Sequence, residues 1–153
     1  MVGLPEPSRR GLGARFDRHA DRIDRPLPAS VERAVDALVA HLRGELQDLT
    51  ELAIDLEGAA AFDRRVYELT RQIPPGRTRT YGELATDLGE PGLSRAVGQA
   101  LGRNPVPLIV PCHRVVRADG EVGGFSAAGG TALKTRLLSI ERAGGLQIGM
   151  SFD

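Results

Sequence analysis

Cys112 and His113 are adjacent in the stretch Leu108-Ile-Val-Pro-Cys-His-Arg-Val-Val116, and Cys112 is the only cysteine of the chain. A thiol attacks only as its thiolate, and a free cysteine is mostly protonated at neutral pH. A nearby histidine can take the proton, directly or through a water. A carboxylate beyond the histidine would hold the imidazole in the working tautomer. Glu141, near the C-terminal helix, is a candidate for that third member. The alternative is a small buried hydrophobe, the common state of a free cysteine. Neighbours in an extended segment point to opposite faces, so adjacency alone does not join Cys112 to His113. Chemistry alone leaves both readings open. One cysteine excludes an internal disulfide, and with His19, His41 and His113 scattered no metal-ligand cluster is spelled out. No metal and no cofactor is expected.

Those residues must be positioned by helices. Ser30 could cap a helix running to about Arg43, with Val31, Ala34, Val35, Leu38 and Leu42 at helical spacing. Leu52, Ile54 and Leu56 alternate with Glu51, Ala53, Asp55 and Glu57, the pattern of a half-buried strand. A second helix begins near Ala61; Phe62, Val66, Leu69 and Ile73 form one stripe. Pro74-Pro75-Gly76 stops it. Thr80-Tyr-Gly-Glu83 has the pattern of a capping box, opening a helix that ends at Gly89. Ser94 could cap the next helix, to about Gly102, with Ala96, Val97, Ala100 and Leu101 inward. Its other face shows Arg95, Gly98, Gln99, Gly102 and Arg103. The pair is a helix-turn-helix candidate. Two glycines inside so short a helix cost roughly 1 kcal/mol each relative to alanine. Close approach to another surface would offset that cost, whether DNA or a neighbouring helix. Val115 and Val116 lead to Asp119-Gly120 and Val122, a hairpin pattern. A last helix, Thr131 to Arg142, carries Leu133, Leu137, Leu138 and Ile140; Lys134, the sole lysine, is read as solvated.

Net charge is zero over 153 residues, but it is unevenly placed. Residues 31–66 carry eight acids against four arginines, and residues 71–118 seven arginines against three acids. That separation could be an electrostatic footprint, though a mixed solvated surface accounts for it equally. Hydrophobic content of 41% suits a globular chain, and no apolar run is long enough to span a bilayer. The N-terminus has no apolar signal region, so a cytoplasmic location is expected.

Pro111-Cys-His-Arg-Val115 resembles the active-site signature of the methylated-DNA–protein-cysteine methyltransferases, the O6-alkylguanine-DNA alkyltransferases. Arg79-Thr-Tyr-Gly-Glu-Leu-Ala85, Ser94-Arg-Ala-Val-Gly98, Arg103-Asn-Pro-Val-Pro107 and Gly123-Gly-Phe-Ser126 resemble family segments in the family order, over roughly residues 28–147. The resemblance implies an α+β protein: a small, shortened N-terminal α/β part (1–59), a mostly helical, winged-helix-like DNA-binding and catalytic domain (60–147) with a helix-turn-helix and an active-site loop, and a tail (148–153). It implies a single-turnover repair enzyme acting on double-stranded DNA that contains O6-alkylguanine, as a monomer without membrane attachment. O4-alkylthymine is a second candidate substrate. Cys112 would be the alkyl acceptor, with His113 deprotonating it through a water and Glu141 orienting His113. Tyr81 would help turn the nucleotide out of the stack and assist the leaving base; Asn104 would brace the turn before the cysteine. Arg95, Ala96, Gly98 and Gln99 would meet DNA in the minor groove, with Arg95 filling the gap left by the flipped base. Pro111, Arg114, Val115 and Ser126 would form the base pocket. The family begins with a small antiparallel sheet built from a longer segment than the about 27 residues here, so a misplaced start or a reduced sheet with Gly13–His19 as a remaining strand is expected. A structural zinc in that part is not expected, and Tyr67 stands where the family has Trp. Two other readings are a non-catalytic lesion binder, which would lack the cysteine, and a helix-turn-helix regulator, which would need polar base-reading side chains where Gly98 and Gly102 stand.

Overall fold

The computed structural model of the chain describes residues 26–124 and 130–143. The described elements are α1 (Ala29–Leu42), α2 (Ala61–Arg71), β1 (Arg79–Thr80), α3 (Tyr81–Asp87), α4 (Ser94–Gly102), a single 3-10 turn (Cys112–Arg114), β2 (Val115–Val116) and α5 (Gly130–Ile140). This is a mixed, mainly helical fold with a small sheet. Its two strands pair in parallel, Arg79 against Val115 and Thr80 against Val116.

The capping box forms as read. Thr80 Oγ1 accepts from the Glu83 amide at 3.1 Å, and Glu83 Oε2 accepts from the Thr80 amide at 2.6 Å. Two donors that an open helix start would leave unpaired are thereby satisfied. α3 ends where Gly89 takes a φ of +76°, which glycine adopts without steric cost. α2, α3 and α4 then pack around Val66, Tyr67, Leu84, Ala85, Val97, Ala100 and Leu101. Cys112 and Val115 complete this core, so the segment that carries the cysteine is part of the packing.

Four expectations are corrected. Ser30 and Ser94 cap nothing: both lie inside their helices, and Pro28 and Leu93 hold the N-cap positions without a side-chain bond. In α1 the Pro28 carbonyl itself accepts from Val31 and Glu32, so its extended entry starts the helix. The buried edge of α1 is also rotated from the expected stripe. Val31 and Val35 are 41% and 45% exposed, whereas Leu38 and Leu42 pack against Leu108 and Leu137, and His41 is buried. Residues 51–57 do alternate in burial, but they form no strand. Among the described residues no strand lies beside them, and the Arg71 guanidinium takes the Thr50 and Leu52 carbonyls instead. Finally, the turn at Asp119-Gly120 closes as expected, with the Gly120 amide on the Arg117 carbonyl and the Arg117 amide on the Glu121 carbonyl, both at 3.0 Å, but the pairing stops there, and Val115 and Val116 pair with β1 rather than with the returning chain.

Candidate active site

Asn104 fixes the approach to the cysteine. Its Oδ1 accepts from the Val106 amide at 3.0 Å, and its Nδ2 donates to the Val110 carbonyl at 2.8 Å and to Cys112 Sγ at 3.3 Å. One amide thus ties the end of α4 to both the turn and the thiol. The chain then tightens into the 3-10 turn, whose sense sends Cys112 toward an opening and His113 and Arg114 into the protein. The opening has a volume of about 890 Å³ and is lined by Tyr81, Gly98, Leu101, Gly102, Cys112, Arg117, Gly123 and Thr131, among others. Cys112 is 7% exposed at its floor.

Behind the cysteine, His113 Nε2 donates to Glu141 Oε1 at 2.9 Å. Its Nδ1 is buried and has no hydrogen-bond partner among the described residues. With the proton on Nε2, Nδ1 carries a free lone pair, as a general base requires. Burial lowers the His113 pKa from 6.5, outweighing the opposing pull of Glu141, so the imidazole is neutral at pH 7. Burial raises the Cys112 pKa from 9.0, against smaller lowering effects of Asn104 and Lys134, so the thiol is protonated at neutral pH. Burial alone would also raise the Glu141 pKa, but bonds from His113, His41 and Arg114 outweigh it and hold the carboxyl well below its usual range.

Arg114 belongs to this buried network and not to the base pocket. Its guanidinium spans both Glu141 oxygens, Nη2 to Oε1 at 2.8 Å and Nε to Oε2 at 3.0 Å, while Nη1 donates to the Ile73 carbonyl. Pro111 and Val115 are likewise buried, and neither lines the opening. Ser126 lies outside the described residues. Tyr81 and Gly98 face each other at the opening; a Cβ on Gly98 would meet the Tyr81 ring at 3.7 Å. Arg95 and Gln99 are exposed on α4, and Ala96 is half-buried. Arg103 turns from that face to Asp63 in a two-point pair at 2.8 and 2.9 Å.

Lys134 is not solvated. It is 0% exposed, and Nζ donates to the Val115 carbonyl and lies 3.4 Å from the Tyr81 hydroxyl. Burial pulls its pKa down to about 8, against the opposing influence of Cys112. The signal was its helical offset: Lys134 precedes the buried Leu137 and Leu138 by three and four residues, on the same face. Tyr67 is buried too, and its hydroxyl donates to the Ala100 carbonyl at 2.9 Å, bracing α4 from α2.

The family model described as 6-O-methylguanine DNA methyltransferase, DNA binding domain, matches residues 61–143. The methylated-DNA–protein-cysteine methyltransferase of Mycolicibacterium paratuberculosis is 44% identical over 115 residues, which is 75% of this chain and 67% of the relative. The enzyme of the same name from Methanothermobacter thermautotrophicus is 40% identical over 114 residues, 74% of this chain and 62% of its own length. Among solved structures, Mycobacterium tuberculosis OGT in complex with DNA superposes with a TM-score of 0.69 at 40% identity, covering 84% of this chain and 78% of that one. The O6-methylguanine-DNA methyltransferase of Pyrococcus kodakaraensis KOD1 does so with a TM-score of 0.60 at 34% identity, covering 86% and 75%. With the cysteine at the floor of an opening and a histidine–glutamate pair behind it, the chain belongs to the methylated-DNA–protein-cysteine methyltransferase family.

Proposed function

We propose that this protein repairs alkylated DNA directly, moving the alkyl group from O6 of a guanine onto Cys112 Sγ. The observation that carries the reading is Cys112 on the lining of the opening, followed by His113 with a buried, unpartnered Nδ1 and with Glu141 on its Nε2. His113 Nδ1 takes the thiol proton through a water, Sγ attacks the alkyl carbon, and the carbon–O6 bond breaks. The guanine leaves with a proton equivalent to the one the thiol gave up. The product is a thioether, so each chain acts once. A base within a duplex is out of reach of a thiol at the floor of an opening, so the target guanine is flipped out. Arg95, exposed on α4, fills the vacated place; Tyr81 at the mouth guides the nucleotide; Gly98 and Gly102 let α4 come close to the minor groove.

Residues 60–147 act as the DNA-binding and catalytic unit, with a winged-helix-like arrangement built on α3 and α4. The protein works as a monomer on double-stranded DNA. Among the described residues no helix is long and apolar enough to cross a membrane. The test is the intact mass of the full chain after mixing with a duplex carrying one O6-methylguanine. A gain of one methyl group per chain is expected, and none in Cys112→Ala. A folded wild-type protein that binds the lesion without gaining mass would make it a damage binder instead.

A further inference from the structure

The carboxylate behind His113 has a second histidine on it. His41, from α1, is 1% exposed and approaches Glu141 Oε1 at 2.8 Å through Nε2, from a hundred residues away in sequence. Its other nitrogen, Nδ1, accepts from the Gln47 backbone amide at 3.1 Å. A ring nitrogen that accepts carries no proton, so the Gln47 contact places the His41 proton on Nε2. His41 is therefore a donor to Glu141, set by the turn that follows its own helix. Oε1 is met by His41, His113 and Arg114 Nη2, and Arg114 Nε is shared between Oε1 at 3.2 Å and Oε2 at 3.0 Å. The charges in this buried group balance, one carboxylate against one guanidinium, with both imidazoles neutral.

Arg114 grips both carboxylate oxygens from one edge, and the imidazoles close on Oε1 from outside that grip. His41 and His113 meet the same oxygen, Oε1, and His113 is the group that must stay in line with the thiol. We infer that His41 is a positioning residue for methyl transfer: its Nε2–H locks the Glu141 carboxylate in the orientation that presents His113 Nδ1 to Cys112. α1 lies outside the matched domain of residues 61–143, so a segment beyond the catalytic unit contributes to the chemistry. This rests on the assignment of Cys112, His113 and Glu141 made above.

The experiment compares full-length His41→Gln and His41→Phe with wild type. The glutamine Nε2 can supply the same donor, whereas phenylalanine fills the space without one. Single-turnover methyl transfer is followed with saturating O6-methylguanine duplex, and lesion-duplex affinity is measured separately on a Cys112→Ala background. The expected result is a transfer rate for His41→Phe lower by on the order of tenfold, a rate for His41→Gln near wild type, and unchanged affinity in both. Equal rates for the two variants, or a fall in affinity that accounts for the slower rate, would overturn the inference. If either variant does not fold, the imidazole ¹⁵N shifts of the wild-type protein decide. A proton on Nε2 of His41 is expected, and one on Nδ1 would overturn the inference. Wild type that gains no methyl group refutes the transferase reading itself, a distinguishable failure.

Discussion

Lys134 sits where one positive charge can influence both ends of the reaction. Its ammonium lies 3.4 Å from the Tyr81 hydroxyl and acts on Cys112 in the direction that favours the thiolate. A nearby opposite charge stabilises an ionised group, and each unit of pKa is worth about a factor of ten. Lys134→Met is therefore expected to slow single-turnover methyl transfer while leaving lesion binding in place. Stopped-time transfer assays beside duplex titrations would check it; an unchanged rate would remove Lys134 from the chemistry. Much of this site was legible in the sequence at the level of residue type. Cys112, His113, Glu141, Tyr81 and Asn104 all sit within one connected arrangement. Arg114 and Lys134 were misassigned because burial of a charge depends on a partner contributed from far along the chain, Glu141 for one and the Val115 carbonyl for the other.

At the scale of elements, α4 combines a packed face with a bare one. Val97, Ala100 and Leu101 are buried, while a Cβ at Gly102 would meet nothing within 4 Å. Nothing among the described residues therefore requires glycine there. Gly102→Ala should raise stability by up to about 1 kcal/mol, the helix-propensity difference, and should weaken binding of lesion duplex, whose backbone needs that space. Denaturant unfolding and a duplex titration give the two numbers; a variant that is more stable and binds equally well would show that DNA does not approach at Gly102. The helices themselves were readable because their signals are local. The capping box needs only four consecutive residues, and the stripe of α2 only its own spacing. Strand pairing is not local. Residues 51–57 carry a strand's alternation without a neighbouring strand among the described residues, and β2 finds β1 across two helices in place of the nearer turn. The serines at 30 and 94 failed as caps because Pro28 and Leu93 begin their helices one or two residues earlier.

For the whole molecule, the buried network makes stability depend on pH in one direction. His113 has a folded pKa below its ordinary 6.5, so its contribution is fully present above about 6.5 and is lost as pH falls through the folded value. Glu141 is depressed below its ordinary 4.5, so its contribution is present above about 4.5 and is lost at lower pH. Both losses lie on the acid side. Thermal unfolding should therefore show a midpoint that is steady just above pH 6.5 and falls on acidification, with a steeper fall below pH 4.5. Glu141→Gln should flatten the lower part of that curve. A midpoint that is flat from pH 7 to pH 4 would mean that the network does not hold these groups as described.

The fork of Arg114 on Glu141 also bears on how this sequence can drift. Removing one partner of a buried ion pair costs about 3–5 kcal/mol, because the other is left charged and alone. That is a large part of the 5–15 kcal/mol typical of a whole domain. A lineage under no pressure from alkylating agents could lose Cys112 by one nucleotide change, at the smaller penalty of one small core side chain and one Asn104 contact. It could not lose Glu141 so cheaply. Selection for a folded protein alone would retain Glu141, and, on the role proposed for His113, a single reversion at the cysteine would return a working site. The chemistry is stored in the part of the molecule that drift can least afford to touch.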